Sequence, residues 1–142
     1  MMIKAVIVYV AILLVVTIGC SGTMDGVIRR DAKRIQIFYT DSRTPVAELV
    51  TVLPGGERFR GKPERLDTTK EMMEAEYSGI VEDFGRFEEV QAFSGNLKAT
   101  LSGNKGNTMQ CRFELTDVII GFSSGGFGLC QLADGRVIDV FF

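Results

Sequence analysis

The sequence predicts an all-β fold, a small antiparallel β-barrel or sandwich. Three observations carry that expectation. Glycines, 16 in all, lie largely between short runs rich in Phe, Val, Ile and Thr, the composition of a domain with many strands and turns. Met109, Cys111, Phe113 and Leu115 alternate with Thr108, Gln110, Arg112 and Glu114, the two-residue period of a strand with one apolar face. Asp134-Gly135 separates the apolar runs Phe127 to Ala133 and Arg136 to Phe142, and such a dipeptide is the strongest short hairpin signal.

Taken in order, the chain first shows Lys4 and then an apolar run from Ala5 to Ile18 that closes on Gly19-Cys20. A positive start, a short apolar core and a small residue before a cut are the outline of a secretory signal peptide. The run is shorter than the roughly 20 residues of a spanning helix; an uncleaved membrane helix is the alternative. Val, Ile and Leu on every side leave it no polar face, against a buried core helix.

Thr17-Ile18-Gly19-Cys20 resembles the lipobox of bacterial lipoproteins, with Thr17 where the family usually carries Leu. The resemblance implies a diacylglyceryl group on Cys20 and cleavage just before it. Ser21 is similar to the residue that sorts such proteins to the outer membrane, which implies a lipid-anchored place in the cell envelope facing the periplasm. On this reading residues 1–19 are the signal peptide, 20–28 a lipidated tether of small, flexible composition, and 29–142 one β domain. The pattern Gly126 to Phe142 resembles the C-terminal ends of small uncharacterised β-rich bacterial lipoproteins and implies no activity.

Setting aside residues 1–20 leaves 122 of the 142 residues, enough for one domain. Without Lys4, 15 Lys and Arg stand against 18 Asp and Glu, a net charge of −3. No basic face follows, so nucleic acid is not expected as a partner. The chain has no His, which removes the commonest general base and a principal metal ligand, and no cofactor or metal is expected. With Cys20 given to lipid, Cys111 and Cys130 remain as an even pair in an oxidising compartment, where a disulfide is expected. Two buried free thiols are the alternative.

Arg29, Arg30, Lys33 and Arg34 read as a solvated strand edge, with anionic headgroup contact as the alternative. Ile35, Ile37 and Tyr39 alternate with Gln36, Phe38 and Thr40 as a strand, which Asp41 to Pro45 ends. Ala47 to Leu53 and Glu57 to Lys62 read as a hairpin turned by Pro54-Gly55-Gly56. Thr68 and Glu71 have capping-box spacing, and residues 66–76 read as loop or one helical turn. An aromatic two residues before a glycine recurs at Phe59-x-Gly61, Tyr77-x-Gly79 and Phe93-x-Gly95, which suits a curved sheet. The final hairpin, given a two-residue turn, sets Cys130 opposite Asp139 and Leu132 opposite Val137. Both its faces are apolar, which predicts a central or covered ribbon.

Glu71, Glu74, Glu76, Glu82, Asp83, Glu88 and Glu89 form the densest acidic region. They read as a solvated face, since no calcium-loop spacing is present. Ser94, Ser102, Ser123 and Ser124 have no nucleophile motif around them, and Gly125 to Gly128 lack the lysine of a phosphate loop. The sequence therefore points to a non-catalytic binding or structural module, anchored to a membrane by lipid and presenting a surface to an envelope protein. The alternative is a small carboxylate-dependent hydrolase of envelope glycan or peptide. Candidate contact loops are Pro54, Gly55 and Gly56, together with Ser123, Ser124, Gly125, Gly126 and Phe127, expected at one end of the sheet on a rigid scaffold.

Overall fold

The structure, a computed structural model, describes residues 21–43, 46–66 and 87–142. Its strands are β1 (Gly22–Ile28), β2 (Arg34–Tyr39), β3 (Leu49–Val52), β4 (Arg58–Gly61), β5 (Pro63–Arg65), β6 (Leu97–Gly103), β7 (Thr108–Leu115), β8 (Gly126–Leu132) and β9 (Val137–Phe141). One short helix, α1 (Glu88–Ala92), precedes β6, and a 3-10 turn, Phe122–Ser124, precedes β8. All pairings are antiparallel, and apart from β4 and β5, which do not pair with each other, each strand lies beside its neighbours in sequence. β1 pairs with β9 as well as β2, and β6 pairs with both β4 and β5. Phe59 opposite Gly103 and Arg65 opposite Leu97 belong to one register, so β4 and β5 act as a single strand bent at Lys62. The result is a closed eight-stranded up-and-down barrel.

Closure removes the sheet edges, and eight strands enclose a space that side chains can fill. Here Met24, Ile28, Ile37, Leu49, Phe59, Leu101, Met109, Phe113, Leu132 and Ile138 fill it, all almost wholly buried. The alternation of β7 holds as expected: Met109, Cys111, Phe113 and Leu115 point inward. Ile35, Ile37 and Tyr39 do the same on β2. The apolar interior contrasts with an outer wall carrying Arg34, Gln36, Lys98, Gln110 and Arg112, the reverse of the pattern in spanning barrels. Among the described residues no helix is long and apolar enough to cross a membrane.

The barrel begins earlier than the composition suggests. Residues 22–28 are not a tether: Gly22 pairs with Tyr39, and Gly26 with both Ile35 and Val140. Met24 and Ile28 are buried in the core, so the burial of one face decides the strand despite its small residues. The basic cluster also finds a definite place, on and beside the turn from β1 to β2. Arg29 makes a two-pronged contact to Asp139, 2.9 Å from each oxygen, and reaches Glu89 on α1 at 2.7 Å. The Asp139 hydrogen bonds, more than Glu89, raise the guanidinium's proton affinity above its ordinary value.

Both faces of the last hairpin are covered, as its sequence requires. Cys130, Leu132, Ile138 and Val140 face the interior, and Leu129 and Val137 pack outside against Phe87 and Val90 of the α1 segment. Its register differs by one residue from the two-residue expectation. Cys130 stands opposite Ile138 and Leu129 opposite Asp139, with Ala133-Asp134-Gly135 as the turn and Leu132 N–H bonded to Arg136 O at 2.9 Å. Only Gly135 of these has positive φ, +95°, whereas the two-residue turn favoured by Asp-Gly needs two such residues. Pro54-Gly55-Gly56 and Asn104-Lys105-Gly106 turn their hairpins by the same bonding pattern, again with the third residue at positive φ.

These tight turns share one end of the barrel and are tied together by Glu57, which is only 6 % exposed. Its Oε1 accepts the Lys105 and Asn107 amides at 3.1 and 3.2 Å, and its Oε2 accepts the Asn107 side-chain amide at 2.7 Å. The Asn107 side-chain bond, foremost, holds the Glu57 carboxyl below its ordinary range, with the two backbone amides adding to it against the opposing effect of burial. A lowered folded-state pKa stabilises the fold above the unfolded value, about 4.3 for Glu, and that contribution disappears as pH falls through the folded value. Glu57→Gln is therefore expected to lower the urea midpoint at pH 7 and to approach wild type on acidification below about pH 4. An unchanged gap at low pH would contradict the assignment.

Candidate functional site

The opposite end of the barrel is built differently. There the chain enters at Ser21, β2 passes to β3 through residues 40–48, β7 passes to β8 through residues 116–125, and β9 ends. The ring of Phe122 enters this mouth and is 1 % exposed. It stacks on Tyr39 at 5.3 Å and meets Phe113 and Phe142 edge-on at 5.4 and 5.7 Å. Such pairs add about 0.5–1.5 kcal/mol each beyond the area they bury. The barrel is thus stoppered at this end.

Serine hydroxyls fix the stopper. Ser42, buried, donates from Oγ to the Ile120 carbonyl at 2.7 Å and accepts the Ser123 amide at 2.9 Å, with Ser123 Oγ at 2.8 Å. Phe122 N–H bonds the Ser42 carbonyl at 2.9 Å. Ser124 Oγ donates to Gly121 O at 2.7 Å and accepts from Asp117 N at 3.0 Å. Gly121 adopts φ +87°, and a Cβ there would lie 1.7 Å from the Ser42 carbonyl oxygen. The Ser123 to Gly126 connection is part of a hydrogen-bonded clamp. The signal that could have identified it, Ser42, lies in a different loop far away in sequence.

The predicted contact loops do not form one surface. Pro54, Gly55 and Gly56 lie at the tight-turn end, whereas Ser123, Ser124, Gly125 and Gly126 lie at the stoppered end, because the β3–β4 and β7–β8 connections fall on opposite sides of an up-and-down barrel. Phe127, on the outer wall of β8, is 51 % exposed and stands directly opposite Phe141 of β9, itself 54 % exposed. Phe93 meets Phe127 edge-on at 5.8 Å. Phe93, Phe127 and Phe141 therefore make an aromatic strip on the outer wall, only the first two of which are in ring contact.

Cys111 and Cys130 are bridged, with sulfurs 1.99 Å apart. They are direct cross-strand partners on β7 and β8, with Cα atoms 4.0 Å apart, and both point into the core. Cys20 lies outside the described residues, as do Glu71, Glu74, Glu76, Glu82, Asp83 and Tyr77-x-Gly79. Glu88 and Glu89 occupy the first turn of α1, exposed to solvent. Residues 67–76, read as loop or helical turn, also fall outside.

A crevice of about 240 Å³ runs between α1 and the outer wall of β6 and β7. Its charges are engaged: Lys98 faces Glu64 at 3.9 Å, and Arg112 donates to the Gln91 carbonyl at 3.3 Å. Among the described residues no group of His, Cys, Asp and Glu converges as a metal site. What the described residues offer chemically is a rigid wall with exposed aromatics and fixed loop tips. Comparison with protein-family models, curated proteins and solved structures finds no match to this chain.

Proposed function

We propose that the protein is a lipid-anchored lipoprotein of the bacterial envelope that acts as a non-catalytic binding or structural module. The observation that supports this reading most is the spacing at the start of the barrel. Cys20, the expected lipid-bearing residue, precedes the first paired residue, Gly22, by only two positions. The covalent connection spans about 7 Å at most, so the anchor joins the scaffold itself. A filled and stoppered barrel with a hydrogen-bonded clamp suits presentation of a fixed surface, and a lipid tether concentrates such a surface at the membrane.

The contact surface in this reading is the aromatic strip, because clustered exposed aromatics are the side chains that most often dominate recognition. Ser124 is removed from the contact set, since its hydroxyl is used within its own loop. The test is capture of envelope proteins on the membrane-anchored full chain, repeated with Phe127→Ala and Phe141→Ala. A specific partner whose affinity falls at least tenfold on either substitution is the expected result. Turnover of envelope glycan or peptide that vanishes with Glu82→Ala and Asp83→Ala would favour the hydrolase alternative instead.

A further inference from the structure

We infer that the stoppered end of the barrel sits in the bilayer interface, with Ile119, Ile120 and Val46 inserted among the lipid headgroups and upper acyl chains. The inference rests on the lipid anchor proposed above and adds the orientation of the molecule and the residues that meet the membrane.

Three features carry it. Ile119, Val46 and Ile120 are 79 %, 60 % and 53 % exposed, and all lie on the two connections at the end where the chain enters the barrel. Turn tips ordinarily carry Gly, Asn, Asp, Ser or Pro, and branched apolar residues in those places lose hydration free energy until something covers them. The isoleucines are also held in place: Asp117 Oδ1 accepts both their amides, at 2.8 and 3.1 Å. The Ser42 to Ile120 and Ser42 to Ser123 bonds join the two connections, so the apolar tips are displayed by a rigid element.

The choice of occupant follows from the chain's path. A lipid on Cys20 lies within about 7 Å of Gly22, which pairs with Tyr39, itself stacked on the Phe122 stopper. The mouth of the barrel cannot then leave the membrane surface, and the nearest apolar medium for the three side chains is the bilayer. The acidic groups on these two connections have partners. Asp41 pairs with Arg43 at 3.3 Å, and the Asp117 carboxylate is occupied by the two amides. A diacylglyceryl group carries two acyl chains and holds the protein at the surface, and the apolar tips then fix which end meets the bilayer. The basic turn between β1 and β2 lies at the other end of the barrel, about 20 Å away along a seven-residue strand, and so faces away from the headgroups.

The chain contains no Trp, so a single substituted residue reports cleanly. The acylated full chain is incorporated into phosphatidylcholine–phosphatidylglycerol vesicles as Ile120→Trp, as Ile119→Trp, or as Lys105→Trp at the tight-turn end. Bromine-labelled acyl chains are expected to quench the first two several-fold, with blue-shifted emission, and to leave the third unchanged. Vesicle-bound, folded Ile119→Trp and Ile120→Trp proteins that are no more quenched than Lys105→Trp would overturn the orientation and leave the lipid anchor standing. Shielding of these reporters by an added envelope protein and not by lipid would likewise overturn it. An unacylated Cys20 in the native protein would overturn both.

Discussion

Replacing Phe122 by Ala is expected to destabilise the fold by about 3–5 kcal/mol, the usual cost of removing a buried aromatic ring. The ring is 1 % exposed and touches Tyr39, Phe113 and Phe142, so its loss opens a cavity between three other aromatics that are anchored on strands. The collapse that would reduce the cost is restricted, because Ser42 and Ser124 hold the backbone on either side of the stopper. Urea unfolding followed by circular dichroism measures the change. Phe122→Leu should recover part of the loss, since it refills the mouth without the ring contacts. A change below about 1 kcal/mol for Phe122→Ala would mean that the barrel mouth is open in solution.

The second large effect belongs to the disulfide. The double substitution Cys111→Ala with Cys130→Ala is expected to cost about 3 kcal/mol. The two cysteines are 19 residues apart in sequence, and the bridge restricts the unfolded chain by closing that loop. In the folded state β7 and β8 stay paired through seven residue pairs, Met109–Leu132 to Leu115–Gly126, so the barrel is expected to persist with an unchanged circular dichroism spectrum. Its denaturant dependence should steepen, since an unbridged chain exposes more surface on unfolding. Equal stability of the double variant and wild type would contradict the bridge's role. Two titratable thiols from Cys111 and Cys130 in unreduced, denatured protein would contradict the bridge itself.

How far the sequence reveals the structure depends on whether the relevant contacts are local. The alternation of β7 and β2 is visible because each has one apolar face with a two-residue period, and the pairing of Cys111 with Cys130 is expected from the sequence once Cys20 is assigned to lipid. β1 escapes composition because its inward residues are Met24, Gly26 and Ile28 among small and polar neighbours. Its membership is set by β2 and β9 rather than by its own propensity. The same holds for the clamp, where Ser42 and Ser123 are 81 residues apart and nothing local in either predicts the bond. The register of the final hairpin differs by one residue from the two-residue expectation because Asp-Gly suits two turn lengths, and only the φ of Asp134 distinguishes them. The aromatic strip was half legible: Phe127 stands out in its glycine-rich setting, but its partner Phe141 is identified only by the register.

Lipidation of Cys20 underlies both the proposed function and the orientation of the barrel, and its most direct measurement is mass spectrometry of the N-terminal peptide from protein isolated from its native membrane. The expected result is a chain beginning at Cys20 with a diacylglyceryl group on its sulfur, two residues before the first strand. A chain retaining Met1, or a Cys20 with a free thiol, would contradict it.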